Sequence, residues 1–233
     1  MFILREERKL FSRPYNPWYL TVLLFIIAFI LLKVSQSLIG SLSVPQGVII
    51  DRLHMVTEPI NHYFHDHPYG AKFVLITTSL WIDIGVAFLC ARAIFGPTIR
   101  PFLELFLFFI YRQALQFLVS LPIPEGIIWE HPGFPSILVD YTTQSDFYFS
   151  AHTGISLLVA MELVRTGKKG LETLGFSLFA YEVLMLICFR VHYTMDILTG
   201  ALVALYIIYT SEQMSSSINH FLRRIGRKVE KKR

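Results

Sequence analysis

The sequence has few of the residues that mark cysteine, metal or nucleotide chemistry. It contains two cysteines, Cys90 and Cys188, which lie near the ends of different apolar runs, so no disulfide is expected between them. It has neither the C-x-x-C nor the H-E-x-x-H spacing of zinc sites, and no G-x-x-x-x-G-K loop for nucleotide phosphates. We therefore expect no metal and no cofactor.

Linkers, repeats and charges are also scarce. Because no Pro/Gly/Ser-rich tract or repeat separates the apolar runs, a single bundle is favoured. Charged residues make up 16% of the chain and apolar residues 54%, with a mean hydropathy of +0.52, which indicates an integral membrane protein. The charged first 15 residues lack the apolar segment and cleavage site of a secretory signal.

About six stretches approach the length of roughly 20 apolar residues that crosses a bilayer. They comprise residues 18–39, 71–90, 102–119, 147–164, 171–189 and 191–210. The sequence thus predicts an all-α, multi-pass bundle of six transmembrane helices. We place an N-terminal arm over residues 1–17, a catalytic membrane domain over residues 18–211 and a basic tail over residues 212–233.

Lysine and arginine collect in alternate connections, which predicts the orientation. The second connection carries Arg92 and Arg100, the fourth carries Arg165, Lys168 and Lys169, and the arm and tail are also basic. By the positive-inside rule both termini are cytoplasmic. The net charge of +4 is then explained by anionic lipid headgroups, not nucleic acid. Residues 122–146, which lack Lys and Arg, are predicted to lie over the exoplasmic or lumenal face.

Three ionisable residues share that predicted face. His152 begins the fourth span, and His192 and Asp196 begin the sixth. An ionised side chain inside hydrocarbon costs roughly 2.5 kcal/mol or more, so such residues indicate a functional site. The i, i+4 spacing of His192 and Asp196 would let the carboxylate hold Nδ1–H and leave Nε2 free as a nucleophile. The simpler alternative is a helix-terminal pair that only satisfies its own polar groups.

His152 adds a second imidazole beside small hydroxyl residues. Ser150 and Thr153 flank it at a helix start, where free backbone N–H groups favour an anion such as phosphate. Displacement at phosphorus needs a nucleophile on one side and a proton for the leaving oxygen on the other. The two histidines could supply both.

These segments resemble a known family. Residues 146–153 and 192–196 are similar to the third and fourth signature motifs of the sphingomyelin synthase family, a branch of the type 2 phosphatidic acid phosphatase superfamily. Tyr111-Arg112, followed by residues 121–124, resembles its second motif. The similarity covers residues 102–205 and implies that superfamily's six-helix fold.

The resemblance implies a lipid phosphotransferase. A phosphocholine or phosphoethanolamine headgroup would pass from a glycerophospholipid donor to ceramide or diacylglycerol. His192, oriented by Asp196, would form a phosphohistidine, while His152 protonates the leaving group and deprotonates the acceptor. The site would face the lumen or the outside, in the Golgi, endoplasmic reticulum or plasma membrane of a eukaryotic cell.

Further side chains could bind the substrate, each with a structural alternative. Arg112 could meet a lipid phosphate or pair within the bundle, and Arg190 could clamp phosphate or mark the membrane boundary. Asp146 could orient His152 or cap a helix, and Tyr148 could belong to an interfacial aromatic belt. The predicted substrate-binding set is Tyr111, Arg112, Asp146, Tyr148, Ser150, Thr153 and Arg190.

Two other functions remain open at this stage. A lipid phosphatase or phospholipase C-like hydrolase of the same superfamily would need a Lys-x6-Arg-Pro element, and Ala93 occupies the Lys position before Arg100. A non-catalytic lipid-binding or transport protein would place its polar groups near the bilayer midplane. The sequence leaves open the headgroup, the acceptor and a homo-oligomeric state.

Overall fold

The structure is a computed structural model that describes residues 18–41, 45–139, 141 and 148–230. The described residues form helices and no strands, so the all-α prediction is confirmed for them. In chain order the helices are α1 (Trp18–Gly40), α2 (Arg52–Val56), α3 (Glu58–Asp66), α4 (Pro68–Phe95), α5 (Arg100–Leu118), α6 (Ala151–Val164), α7 (Lys169–Cys188) and α8 (Thr194–Glu230). The predicted arm, residues 1–17, lies outside the described residues.

Helix α6 is the centre of the bundle. Eleven of its 14 residues are buried, and it packs against α4, α5, α7 and α8. Its apolar side chains, with Phe108 of α5 and Ile207 of α8, form the main core cluster. Helix α1 packs against α4 and α5 and exposes much of its apolar surface. His152 therefore projects from the helix that the rest of the bundle surrounds.

Among the described residues, four helices are long and apolar enough to cross a membrane, so the predicted count of six is not confirmed. These candidate spans are Trp18–Ile39, Pro68–Phe95, Lys169–Cys188 and Thr194–Leu222, as expected of an integral membrane protein. Helix α5 carries buried charges, and α6 has 14 residues, or about 21 Å of rise against roughly 30 Å of hydrocarbon. The span predicted for this segment began at residue 147, whereas α6 begins at Ala151, so the helix is four residues shorter than predicted.

The connection between α1 and α4 contains the short helices α2 and α3, and α3 is bonded to neighbouring segments. Asn61 of α3 donates to the carbonyl oxygens of Gly126 and Cys188 at 3.0 and 2.9 Å. It thereby ties the connection after α5 to the end of α7, close to where α8 begins. The carbonyl oxygen of Phe189 also accepts from the backbone N–H of Ile128 at 2.8 Å.

A buried ionic network occupies the opposite end of α5 and α6. Glu162 accepts from Arg92 and Arg100 at 2.9 Å each and from Arg165 at 3.2 Å. Arg165 also pairs with Glu104 at 3.0 Å. Their side chains are at most 3% exposed. The arginines that the sequence analysis treated as loop charges are therefore internal ion-pair partners, because each meets a carboxylate from another turn or helix.

The segment predicted as a basic tail begins as helix. Helix α8 runs without interruption to Glu230, and Glu212 accepts from Arg165 at 3.0 Å. The first part of the predicted tail thus belongs to the bundle, and the final residues, 231–233, lie outside the described part of the chain.

Candidate active site

A polar cavity lies where α5 ends and where α6 and α8 begin. It has a volume of about 80 Å³, and Arg112, His152 and His192 line it. These residues come from segments far apart in the sequence, and the sequence analysis had predicted all three. Lys33 and Gln36 of α1 complete its polar lining.

His152 presents an unpaired ring nitrogen. It is the second residue of α6 and is 8% exposed, and Nε2 has no hydrogen-bond partner among the described residues. Its ring meets the ring of Trp129 edge-on, with centroids 5.6 Å apart. A buried ring nitrogen that faces a cavity without a partner is available to a ligand.

His192 lies near Asp196, but not in the predicted geometry. Nδ1 of His192 is 3.8 Å from Oδ2 of Asp196, which is longer than a hydrogen bond. Helix α8 begins at Thr194, so His192 precedes the helix, and Oδ2 accepts instead from the backbone N–H of Tyr193 at 3.0 Å. Oδ1 of Asp196 has no hydrogen-bond partner within the described ranges. The carboxylate is thus buried behind the imidazole and close enough to interact with its charge.

The backbone around both histidines is held in uncommon conformations. Phe149 has φ of 73° and Arg190 has φ of 54°, values that residues other than glycine rarely adopt. The N–H of Ser150 donates to the carbonyl oxygen of Asp196 at 3.2 Å, which joins the start of α6 to the first turn of α8. Strained backbone persists where the surrounding packing enforces it, often at functional sites.

Asp51 and His54 fix the segment that carries His192, and the sequence analysis missed both. Asp51 accepts from the backbone N–H and the hydroxyl of Thr194 at 2.6 and 2.8 Å. A ring nitrogen of His54 lies 3.0 Å from the carbonyl oxygen of His192, and its ring stacks on Tyr193. The only local signal was an Asp suited to capping α2, which it also does.

The environment of Asp51 favours its ionised form. Burial raises the pKa of this carboxyl, but the hydrogen bonds from Thr194 and the nearby His54 outweigh that effect, so the net pKa lies below its ordinary value. The Asp51–Thr194 contact therefore contributes stability above the unfolded-state pKa of Asp51. That contribution is lost as the pH falls through the folded-state pKa.

The described part of the connection after α5 contributes to the cavity lining, whereas the end of the predicted segment 122–146 lies outside the described residues. Trp129, Leu138 and Val139 contribute to the cavity wall. Asp83 of α4 fastens this wall, because its carboxylate accepts from the hydroxyl of Ser136 and from the backbone N–H groups of Ile137 and Leu138 at 3.0, 3.0 and 3.1 Å.

Ser150 and Thr153 are engaged in capping α6 and do not line the cavity. The Ser150 hydroxyl oxygen accepts from the backbone N–H and the hydroxyl of Thr153 at 3.3 and 3.0 Å. Both residues are fully buried. They position His152 by starting the helix one residue before it. Asp146, the alternative cap, lies outside the described residues.

Three other predicted residues also lie away from the cavity lining. Tyr111 is 38% exposed and meets the ring of Tyr206 on α8. Tyr148 packs against the main core cluster. Arg190 donates to the carbonyl oxygens of Glu125 and His54 at 2.9 and 3.3 Å, so it joins two connections.

Gly154 allows the close approach of α5 to the start of α6. A Cβ at this position would overlap the ring of Phe108, which is fully buried. We expect Gly154→Ala to lower the free energy of unfolding by about 1–3 kcal/mol, because the added methyl would force the buried ring or the helix backbone to shift. Gly170→Ala is the matched control, since nothing lies within 4 Å of its Cβ. Thermal unfolding of both purified variants tests this, and equal losses would contradict it.

Potential metal ligands are not clustered in the described part of the chain. No group of three or more His, Cys, Asp or Glu side chains there could hold a metal ion.

Comparison with known proteins identifies one matching family. The model of the family described as AtPDCT1/2 matches residues 50–213, which include Arg112, His152, His192 and Asp196. No curated protein matches the chain. No sphingomyelin synthase or type 2 phosphatidic acid phosphatase family matches either, so the predicted membership of that family is wrong. The resemblance rested on short strings around two histidines, and such strings do not distinguish families that carry out related chemistry.

Proposed function

The chain belongs to the AtPDCT1/2 family of phosphatidylcholine:diacylglycerol cholinephosphotransferases, and we propose that it moves phosphocholine from phosphatidylcholine to diacylglycerol. A lipid headgroup phosphotransferase is the general activity that this membership supports. The observation that carries the proposal is the convergence of His152, His192 and Arg112 on one buried cavity. The family description favours diacylglycerol over ceramide, and choline over ethanolamine.

The first half of the reaction would place phosphorus on His192. An unprotonated ring nitrogen of His192 attacks phosphorus, a P–N bond forms, and the P–O bond to glycerol breaks. The leaving diacylglycerol oxygen takes a proton from His152, whose Nε2 has no protein partner among the described residues. Phosphocholine then remains on His192, and diacylglycerol leaves as the first product.

The second half would reverse these roles with a new diacylglycerol. Its free hydroxyl loses a proton to His152 as its oxygen attacks phosphorus, and the P–N bond to His192 breaks. Asp196, 3.8 Å from Nδ1, stabilises the positive charge that develops on His192 while it forms and breaks this bond. Phosphatidylcholine and a neutral His192 are regenerated.

Arg112 would stabilise the phosphate in both halves. Its guanidinium is buried and lines the cavity with the two histidines. A planar fork of N–H donors suits phosphate oxygens, on which negative charge is concentrated during displacement. Lys33 and Gln36 of α1 would face the same anion.

The membrane orientation forms part of the proposal. With cytoplasmic termini, the cavity opens toward the exoplasmic or lumenal leaflet and the buried ionic network lies toward the cytoplasm. Three of the arginines that favoured this orientation are buried in ion pairs, so its support now comes from the arm and tail charges and from Lys168 and Lys169, which are exposed at the start of α7.

A competition assay tests the function. Purified protein in mixed micelles receives choline-labelled phosphatidylcholine with short-chain diacylglycerol and ceramide together, and the products are identified by mass. We expect labelled short-chain phosphatidylcholine. Labelled sphingomyelin would instead identify ceramide as the acceptor. Release of labelled phosphocholine into water would favour the hydrolase. No labelled product would exclude the activity.

Arg112 provides a graded test of phosphate binding. Arg112→Gln should lower kcat/KM by about 10- to 100-fold, because a charge-assisted hydrogen bond contributes roughly 1.5–3 kcal/mol. Arg112→Lys should retain more activity, since it keeps the charge but loses the fork. Initial rates at several donor concentrations measure this, and thermal unfolding controls for folding. A Gln variant at full kcat/KM would assign Arg112 a purely structural role.

A further inference from the structure

A large apolar groove lies beside the polar cavity. It occupies about 680 Å³ between α1, α4 and α5, within the roughly 300–1,000 Å³ typical of small-molecule sites. Its lining is almost entirely apolar, with Val22 and Ile26 from α1, Val86 and Ala87 from α4, and Ile110 from α5. The groove can therefore accept a hydrocarbon chain.

The groove and the cavity share part of their walls. Phe29, Leu32, Phe109 and Leu138 line both. An amphiphile with its phosphate between His152 and His192 would thus have an apolar surface next to its glycerol. This continuity selects a lipid chain as the occupant.

Gln113 lies at the junction with its hydrogen-bonding groups unused. It lines the groove, whereas the adjacent residue, Arg112, lines the cavity. Both the amide nitrogen and the amide oxygen of Gln113 are buried and have no hydrogen-bond partner within the described ranges. A buried amide without hydrogen-bond partners destabilises the fold. The amide of Gln113 therefore points to a bound ligand that supplies the missing hydrogen bonds.

Asp83, another polar residue of the groove lining, already has hydrogen-bond partners within the protein. Its carboxylate accepts from the hydroxyl of Ser136 and from two backbone N–H groups of the connection after α5. These bonds hold Leu138 in the shared wall. Asp83 therefore has a structural role in the groove, whereas the Gln113 amide is available to bind a ligand.

We propose that the groove holds an acyl chain of the glycerolipid substrate and that the Gln113 amide donates to an ester carbonyl beside it. This inference rests on the proposed function and assigns its lipid-binding surface. Donor phosphatidylcholine and acceptor diacylglycerol carry the same diacylglyceryl group, so one groove serves both in turn. The first diacylglycerol must then leave before the second enters, which gives ping-pong kinetics.

Filling the groove tests where the chain lies. Ala87→Trp should lower the rate with dioleoylglycerol, relative to dioctanoylglycerol, by about tenfold, the loss expected when roughly two methylene groups are displaced. Ala114→Trp is the matched control, because Ala114 is an exposed alanine of α5 outside the groove lining. If the ratio of the dioleoylglycerol rate to the dioctanoylglycerol rate changes equally in both variants, or in neither, the groove does not hold the acyl chain.

Removing the amide tests the role of Gln113. Diacylglycerol, which has ester carbonyls, is compared as acceptor with dialkylglycerol, whose ether links have none. The unsubstituted protein should transfer phosphocholine about three- to tenfold faster to diacylglycerol, and Gln113→Leu should abolish this preference. A purely structural role would slow both acceptors equally. The Leu variant should fold, because it replaces an unsatisfied buried amide with an apolar side chain. An unchanged preference would exclude the proposed bond.

A binding measurement separates this inference from the proposed function. Phosphatidylcholine with a photoreactive group near the end of one acyl chain is irradiated with the unsubstituted protein in vesicles, and the labelled peptides are sequenced. We expect label on residues that line the groove, whether or not headgroup transfer is observed: Val86, Ala87, Cys90 and Ile94 of α4, or Phe106, Phe109 and Ile110 of α5. Label confined to the outer face of α7 would overturn the groove, even if transfer occurs.

Discussion

Replacing His192 with alanine is expected to lower phosphocholine transfer by roughly 10⁴-fold or more, because the variant has no nitrogen to bond phosphorus. Incorporation of labelled diacylglycerol into phosphatidylcholine, without other acceptors, needs both half-reactions and should be lost in parallel. His62→Ala is the matched control, since His62 is an exposed histidine of α3 outside the cavity. It should leave both rates unchanged.

The same assays distinguish His152 from His192. His152→Ala should slow both half-reactions by about 10²–10⁴-fold, the usual contribution of a general acid–base group, and some transfer should remain. With donor alone, radiolabelled phosphocholine should attach to the unsubstituted protein and not to His192→Ala. Label retained on the His192 variant would move the nucleophile elsewhere. Full exchange activity in that variant would falsify the covalent mechanism.

The sequence predicted that His152 and His192 lie close together at one end of the bundle, but not the contacts that hold them there. His152 and His192 could be placed at one end because each begins an apolar run. One antiparallel run separates these two runs, so they point in the same direction and start on the same side. Asp51, His54 and Trp129 could not be found in this way. Their contacts cross between distant segments, so no local spacing encodes them.

The opposite end of the bundle was misread for a related reason. Arg92, Arg100 and Arg165 follow or precede apolar runs, which is also where charges at a membrane boundary occur. Only the packing of α4, α5 and α6 shows that Glu104 and Glu162 neutralise them inside the protein. Composition gives the number of charges, whereas the partner of each depends on tertiary structure.

This network predicts the largest effect on stability. Glu162 bonds three arginines, so Glu162→Ala should lower the free energy of unfolding by about 3–5 kcal/mol, the cost of leaving buried charges without their partner. Glu172→Ala is the matched control, because Glu172 is exposed in the first turn of α7 and should change stability little. Denaturant titration in mixed micelles measures both variants.

The same variant shows whether the network also supports the cavity. Glu162 lies ten residues after His152, or about 15 Å along α6. The folded fraction of the variant should therefore have the same KM for phosphatidylcholine as the unsubstituted protein. A loss below about 1 kcal/mol would mean that water reaches the arginines and replaces the carboxylate. A raised KM at full folding would instead mean that the arginines set the register of α6 and thereby the position of His152. Measuring stability and KM on one preparation separates these two roles.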